Sequence, residues 1–201
     1  MKTQPNRPIQ RATARTHQRG YSIVEIIIGI AVAGAIALLV GVAYKPTVTS
    51  AAAKQVAEDL KRYIATELTN SYGVNQPYSG VSVSGLGLVL RDSGALTISA
   101  DRTRVAHGMG GNGTTTGLIA VSPVNGGNGF TITLDAVSHA ACPNLANLLR
   151  KSVTKVVISG QSTATVYDTS VSPAVEWQPA LARNACAEGD NNTFTFSVGA
   201  I

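Results

Sequence analysis

Three glycines near the middle of the chain have the spacing of a nucleotide-binding loop. Gly108, Gly110 and Gly113 fit G-x-G-x-x-G, a pattern whose backbone can approach the pyrophosphate of a dinucleotide. That function requires a preceding strand, a following helix and an acidic residue about 20 positions further on. Residues 114–119 have the composition of a strand, and no acid stands near position 130. We therefore predict a flexible surface loop here, not a nucleotide site.

The candidate catalytic groups do not form a set. Ser152 and Lys155 fit the S-x-x-K of penicillin-recognising enzymes, but the companion S-D-N and K-T-G motifs are absent. His107 and His139 lie far apart in sequence, and neither has an evident carboxylate partner. Because no nucleophile, base and orienting group emerge together, we predict that the protein is not an enzyme.

Metal and cofactor sites are not indicated either. Two cysteines and three histidines do not supply a four-ligand zinc site with recognisable spacing. Asp168, Glu188 and Asp190 are oxygen ligands of the kind that Ca²⁺ prefers, but their spacing matches no known calcium loop. Trp177 is interpreted as a packing residue, with a surface role in adhesion as the alternative. We expect no metal and no cofactor.

Glu25 is the residue whose chemistry stands out. It is the single charge in residues 21–44, and an acid at the middle of a membrane helix costs about 2.5–3.5 kcal/mol. Cleavage between Gly20 and Tyr21 would create an α-amine one helical turn from Glu25. That amine is mostly protonated at neutral pH, so an ion pair within one subunit or between neighbours would offset the cost.

The charge distribution sets a topology for this segment. The net charge of +5 is carried entirely by residues 1–20, which contain Lys2, Arg7, Arg11, Arg15 and Arg19. A basic tail before an apolar run stays on the cytoplasmic side, so the excess charge is not evidence for nucleic-acid binding. Twenty-four helical residues reach about 36 Å, enough for a hydrocarbon core of about 30 Å. We predict a leader over 1–20 and a transmembrane helix over 21–45.

The helix is predicted to continue past the apolar segment as an amphipathic half over 46–73. Apolar residues recur there at spacings of three and four, with charged residues between them, and Gly73 is a natural stop. Pro46 predicts a bend. The apolar stripe consists of Val48, Ala52, Val56, Leu60, Tyr63, Ile64 and Leu68, and we expect it to pack against a globular head.

The head, residues 74–201, has mainly β character. Short runs of apolar and Thr residues predict strands over 95–100, 118–122, 130–134, 153–158, 163–167 and 193–198. Residues 125–129 predict a hairpin loop. One helix over 140–150 interrupts the strands, with Ser138 as its N-cap. The fold class is therefore α+β: a long N-terminal helix on a mainly antiparallel sheet.

Cys142 and Cys186 are the two thiols of the chain. With the topology above, both face an oxidising compartment, where pairing is the default. A disulfide between them would close a loop of 43 intervening residues and stabilise the folded protein by roughly 4 kcal/mol. Two buried free thiols remain the alternative.

The residues around Glu25 carry a family resemblance. Arg19-Gly20-Tyr21-Ser-Ile-Val-Glu25 and the apolar run that follows resemble the class III signal of type IV prepilins. The 20-residue leader resembles the longer leaders of the type IVb group, although Tyr21 departs from that group's usual first mature residue. The last third, from the strand at 130 through both cysteines to the closing strand, is similar to major pilins of plasmid-encoded thin pili.

The resemblance implies a structural function. It implies cleavage after Gly20 by a prepilin peptidase, helical packing of many copies with Glu25 neutralising a neighbour's amine, and a cysteine-bounded segment at an exposed edge. The partners would be copies of the chain, the peptidase and the inner-membrane assembly machinery. The protein would be in the inner membrane before assembly and in a surface pilus used for adhesion, aggregation or conjugative contact afterwards.

Three alternatives remain open. A minor pilin or a type II secretion pseudopilin would have the same N-terminus. A membrane-tethered or secreted binding domain would not polymerise. A conventional secretory signal would be cut after Ala43, since Gly41-Val42-Ala43 is a passable small-x-small site.

Overall fold

The first element of the chain is one long helix. A computed structural model describes residues 23–71 and 75–199, and the chain divides into two units, residues 1–42 and 43–201. Helix α1 (Ile23–Asn70) is continuous in secondary structure over 48 residues and passes through Pro46. This confirms the predicted helix, while the bend at Pro46 stays a prediction. Within the described residues, no helix combines the length and apolar character needed to cross a membrane, so the span over 21–45 is not confirmed.

The second unit is built on antiparallel sheets. The chain order is β1 (Thr97–Ile98), β2 (Val105–Ala106), β3 (Ile119–Val124), β4 (Gly129–Val137), β5 (Lys155–Ser159), β6 (Thr163–Asp168) and β7 (Asn192–Gly199). Strands β1 and β2 form a small hairpin. The other five form one sheet in the order β3-β4-β7-β5-β6, with every neighbouring pair antiparallel. The predicted antiparallel sheet is confirmed.

The turn between β3 and β4 matches the predicted hairpin loop. Val124 pairs with Gly129, and a short 3-10 turn (Asn125–Gly127) connects the strands. Gly126 and Gly127 have φ of +63° and +88°, a region in which glycine avoids the steric cost of a side chain. The amide of Tyr78 donates to the carbonyl of Gly127, so the turn is also fixed to the preceding loop.

The core lies between the second half of α1 and one face of the five-stranded sheet. The helix contributes a row of side chains that are at most 1% exposed, and the ring of Tyr63 meets Phe130 of β4 edge-on at 6.2 Å. The row consists of Ala53, Val56, Ala57, Leu60, Tyr63 and Ile64. The predicted stripe is wrong at its end, because Leu68 is 44% exposed.

Three short helices complete the head: α2 (Val83–Val89), α3 (Cys142–Leu149) and α4 (Pro179–Ala185). The prediction that Ser138 caps the middle helix is wrong. Helix α3 begins at Cys142, its cap position is Ala141, and no side chain accepts a hydrogen bond there. Proline lies in the first turn, where its missing N–H costs nothing, and this favours the later start.

Candidate functional site

The residues predicted to act in processing and assembly lie at or beyond the start of α1. Gly20 and Tyr21 lie outside the described residues, and Glu25 lies within α1 with its side chain outside the description. Large aliphatic side chains around Glu25 are 52–76% exposed: Ile23, Val24, Ile26, Ile27, Ile28, Ile30 and Val32. Aliphatic groups presented in this way around a helix need an apolar environment that the single chain does not give them.

The two cysteines form a disulfide, as predicted. Cys142 is the first residue of α3, and Cys186 directly follows α4. The segment between them contains β5, β6 and α4, so it forms the side of the sheet beyond β7, with β6 as the outermost strand. The second half of β6 is partly covered, since Asp168 and Val175 exchange backbone hydrogen bonds of 2.9 and 2.8 Å.

An ion pair between a partly exposed lysine and a buried carboxylate joins β5 to β6 in this segment. Nζ of Lys155 lies 3.0 Å from Oδ2 of Asp168, whose side chain is 3% exposed. The amide and the hydroxyl of Ser170 donate to the other oxygen at 2.9 and 2.5 Å. Burial alone would raise the pKa of Asp168, but the bonds from Ser170 and the charge of Lys155 outweigh it and lower that pKa. The ammonium of Lys155 is thus engaged with Asp168, which argues against the S-x-x-K interpretation.

Trp177 packs against the core at the edge of the same segment. The guanidinium of Arg150, just after α3, lies 5.7 Å from the centre of the Trp177 ring. A cation in this position is attracted by the face of the ring. The interpretation of Trp177 as a packing residue fits this contact, and its use in adhesion is untested.

The glycine loop, residues 108–114, is held in place by side chains that accept hydrogen bonds from backbone amides in the loop and directly after it. Oδ1 of Asn112 accepts from the amides of Thr114, Thr115 and Thr116 at 2.8–3.0 Å. The amide of Gly111 donates to Oδ2 of Asp190 at 3.2 Å. Strand β3 follows the loop, where a dinucleotide site would have a helix. The amides of residues 111 and 114–116 therefore bond the protein's own oxygens and are not free to bind a phosphate.

Gly110 is required by a close approach of two chain segments. A Cβ there would lie 2.2 Å from the carbonyl oxygen of Ala136 and 3.0 Å from the amide of Ser138. The carbonyl of Met109 accepts from that amide at 3.1 Å. The glycine loop therefore lies directly on the end of β4, and this packing explains the glycine without a ligand.

His107 is fully buried beneath the loop. Its Nδ1 accepts from the amide of Met109 at 3.1 Å, so the proton of the neutral ring is on Nε2, which donates to the carbonyl of Asp135 at 2.7 Å. Burial lowers the pKa of His107, and the bond to Asp135 with the charges of Asp135 and Asp190 only partly opposes this. The ring is thus a neutral structural group. His139 is exposed and bonds elsewhere, so the two histidines do not form one site.

The residues considered as calcium ligands are not brought together. Asp168 is paired with Lys155, whereas Asp190 contacts the glycine loop. In the described part of the chain, no group of three or more His, Cys, Asp or Glu side chains has metal-binding geometry.

The structure reveals a cleft that sequence reasoning missed. Its volume is about 820 Å³, and one wall is the glycine loop with Ala106 and Thr97. The opposite wall comes from residues 138–140, just before the first cysteine, and residues 189–190, just after the second. Thr49 of α1 also lines it. Gly111 and Asp190, which bridge the two walls, are 79 positions apart, so no local pattern indicates their contact.

Comparisons with known proteins give a family match and several similar solved structures, among them two type IV pilins. Residues 109–199 match the family model described as PilS N terminal. A type IV b pilin from Salmonella typhi is 22% identical, with a TM-score of 0.46 over 71% of this chain and 97% of that one. TcpA, a type IV pilin from Vibrio cholerae El Tor biotype, is 11% identical, with a TM-score of 0.40 over 76% of this chain and 98% of that one. No curated protein matches the chain.

Proposed function

We propose that this chain is a type IV pilin of the IVb kind, that it is the major subunit of a pilus, and that it polymerises through α1; the match of residues 109–199 to the family model described as PilS N terminal supports the pilin assignment. In this proposal a prepilin peptidase cuts after Gly20, and the head is exported. The helices of many copies then pack together with Glu25 against the new amine of a neighbour. The head is displayed on the filament surface for adhesion, aggregation or mating contact.

The observation that carries the proposal is the apolar surface at the start of α1. Burying a Val or Ile side chain is worth about 1.5–3 kcal/mol relative to leaving it in water. Seven such residues between 23 and 32 are more than half exposed, so a large driving force favours covering them. A lipid bilayer before assembly and neighbouring helices afterwards would both supply that cover.

Glu25 gives the packing its register in this proposal. A carboxylate among apolar side chains is expensive unless a cation lies beside it. The amine of Tyr21 in an adjacent copy is such a cation, and the pairing is satisfied only when neighbours are correctly staggered. No catalytic step belongs to the chain itself; a peptidase and a thiol oxidase act on it.

Replacing Glu25 tests the mechanism. In Glu25→Ala, we expect cleavage to be largely intact and sheared surface pili to fall at least tenfold, because the amine loses its partner. Cleavage is read from the N-terminus of the membrane-fraction protein and piliation by electron microscopy. Glu176→Ala, which changes an exposed head glutamate, is the matched control and should leave pili unchanged. Normal piliation by Glu25→Ala would contradict the mechanism.

The abundance of the chain separates the major pilin from the alternatives. A major pilin dominates a preparation of sheared filaments, whereas a minor pilin or a pseudopilin is a trace component. A tethered binding domain would be absent from filaments altogether and would not need a prepilin peptidase.

A further inference from the structure

We propose that Asn192 positions Cys142 and Cys186 for disulfide formation, because its side chain holds the two cysteine segments together before the covalent bond exists. The cysteine segments are residues 137–142, from the end of β4 to the start of α3, and residues 185–192, from the end of α4 to the start of β7. The inference concerns the head alone, so it stands or falls independently of the proposed assembly.

Asn192 is a fully buried polar side chain whose hydrogen bonds reach both cysteine segments. Its Oδ1 accepts from the amide of Ala187 at 2.6 Å. Its Nδ2 donates to the carbonyls of Val137 and Ala187 at 2.9 and 3.0 Å. Ala187 directly follows Cys186, and Val137 lies five positions before Cys142. One amide side chain therefore ties the backbone beside each cysteine to the start of β7.

Two hydrogen bonds of His139 join the same segments. Its amide donates to the carbonyl of Gly189 at 2.8 Å, and its Nδ1 donates to the carbonyl of Ala187 at 3.1 Å. Like the bonds of Asn192, these join nitrogen and oxygen atoms and do not require the disulfide. Because His139 is exposed and Asn192 is fully buried, the bonds of Asn192 are the ones protected from competition with water.

The turn between β5 and β6 covers these bonds. A Cβ at Gly160 would lie 2.4 Å from Oδ1 of Asn192 and 2.6 Å from the carbonyl oxygen of Ala185, so only glycine allows the turn to approach this closely. The amide of Gln161 donates to that carbonyl at 2.9 Å. A buried amide that lost its partners here would cost free energy, which favours keeping the two segments together.

Disulfide formation gains from this arrangement. With glutathione disulfide as the oxidant, one thiolate of the head attacks it and releases the first glutathione thiolate, and the second thiolate of the head then displaces the other glutathione. The two cysteines lose two hydrogen atoms between them, and one glutathione disulfide becomes two glutathione thiols. The equilibrium depends on how often the two thiols of the reduced head lie within reach, which is their effective concentration.

The effective concentration is measured on the full chain in detergent, equilibrated with mixtures of oxidised and reduced glutathione. Free thiols are alkylated, and intact mass gives the ratio of oxidised to reduced chain. Asn192→Ala should lower the effective concentration about tenfold, the usual effect of losing one good hydrogen bond. Asn192→Asp, which has nearly the same shape, should lower it at least as far, because a carboxyl group has at most one proton to donate where the amide has two.

Two controls separate positioning from general stability. Leu60→Ala removes a fully buried side chain of α1, outside both cysteine segments, and should leave the effective concentration unchanged within about twofold while it lowers the free energy of unfolding. Asn128→Ala removes an exposed asparagine beside the β3–β4 turn and should leave both quantities unchanged. Circular dichroism of each reduced variant establishes that the head is folded.

A measurement without substitution decides the case in which a reduced Asn192 variant does not fold. In the reduced unchanged chain, the amide of Ala187 should exchange its hydrogen at least about tenfold more slowly than in the urea-unfolded chain, as followed by NMR, because Oδ1 of Asn192 still accepts from it. An unchanged effective concentration in a folded Asn192→Ala head, an equal loss in Leu60→Ala, or unprotected exchange at Ala187 after reduction would each overturn the inference.

Discussion

At the scale of single residues, the same residue type serves two different purposes. His107 is buried, neutral and bonded through both ring nitrogens to backbone groups, whereas His139 lies exposed at the rim of the cleft. Protonating His107 would place a second N–H against the amide of Met109. The sequence could not separate these histidines, because each environment is created by segments far away along the chain.

His107 predicts a loss of stability in mild acid. Its pKa in the folded chain lies below the ordinary value of about 6.5, so below that pH the unfolded chain binds a proton that the native chain does not. The free energy of unfolding should therefore fall as the pH drops from 7 toward 5, with a slope of up to about 1.4 kcal/mol per pH unit. Urea denaturation at several pH values measures it.

Two substitutions test whether His107 causes this pH dependence of the free energy of unfolding. Gln at position 107 has a donor and an acceptor but no proton to gain, so His107→Gln should flatten the pH dependence between 7 and 5. His139→Gln, at the exposed histidine, should keep it. The same slope in His107→Gln as in the unchanged chain would show that other groups are responsible.

At the scale of elements, the two halves of α1 have different surroundings. Its second half buries one face against the head, where Tyr63 meets Phe130 of β4, while its first half exposes aliphatic side chains. The boundary of the buried face comes before the end of the helix, since Ile64 is 1% exposed and Leu68 is 44% exposed. Helical spacing alone predicts both Ile64 and Leu68 as core residues. The periodicity of a sequence does not show where the sheet that covers the helix ends, so it could not separate the two.

Two leucines on α1 test this boundary. Leu60→Ala removes a fully buried side chain and should lower the free energy of unfolding by about 2–5 kcal/mol. Leu68→Ala removes a half-exposed side chain on the same helix and should cost less than about 1 kcal/mol. Urea denaturation of the two variants measures both values, and equal losses would contradict the described packing.

The sequence predicts the larger elements better than the small ones. Strands β3, β4, β5, β6 and β7 were predictable as short apolar or Thr-rich runs between turn residues, and in β4 and β7 Thr or Ser alternates with apolar residues. Helix α2 was missed because Gly85 and Gly87 weaken its helical pattern; its start is instead fixed by Ser82, whose hydroxyl accepts from Gly85 at 3.2 Å. Ser138 looked like a cap because its residue type favours that role, yet the proline in the first turn of α3 sets a later start.

Less of the candidate site could be predicted. The disulfide was predicted from two cysteines expected to face an oxidising compartment, and the strand predicted after the glycine pattern is present as β3. The cleft could not be predicted, because its walls meet through the pairing of β4 with β7 and through the disulfide.

At the scale of the whole molecule, the disulfide links the ends of the segment that forms one side of the sheet. Strands β5 and β6 reach the rest of the sheet through β7 alone, whereas β3 and β4 lie on the other side of β7. Removing the bridge therefore frees the ends of the β5–β6 segment without touching a strand of the β3–β4 pair.

The double variant Cys142→Ala, Cys186→Ala should be less stable by about 2–5 kcal/mol. Hydrogen exchange should increase most in β5, β6 and α4, with a smaller change in β3 and β4. The oxidised unchanged chain is the reference, and its intact mass should rise by two hydrogen atoms on reduction. An equal increase in exchange across all five strands would contradict the local role of the bridge.

The most direct test of the proposed assembly is the intact mass and N-terminal sequence of the main protein band from sheared surface filaments. We expect that band to be this chain, beginning at Tyr21, with the disulfide intact. A filament band that begins at Met1 or Tyr44, or a filament preparation from which this chain is absent, would contradict the proposal.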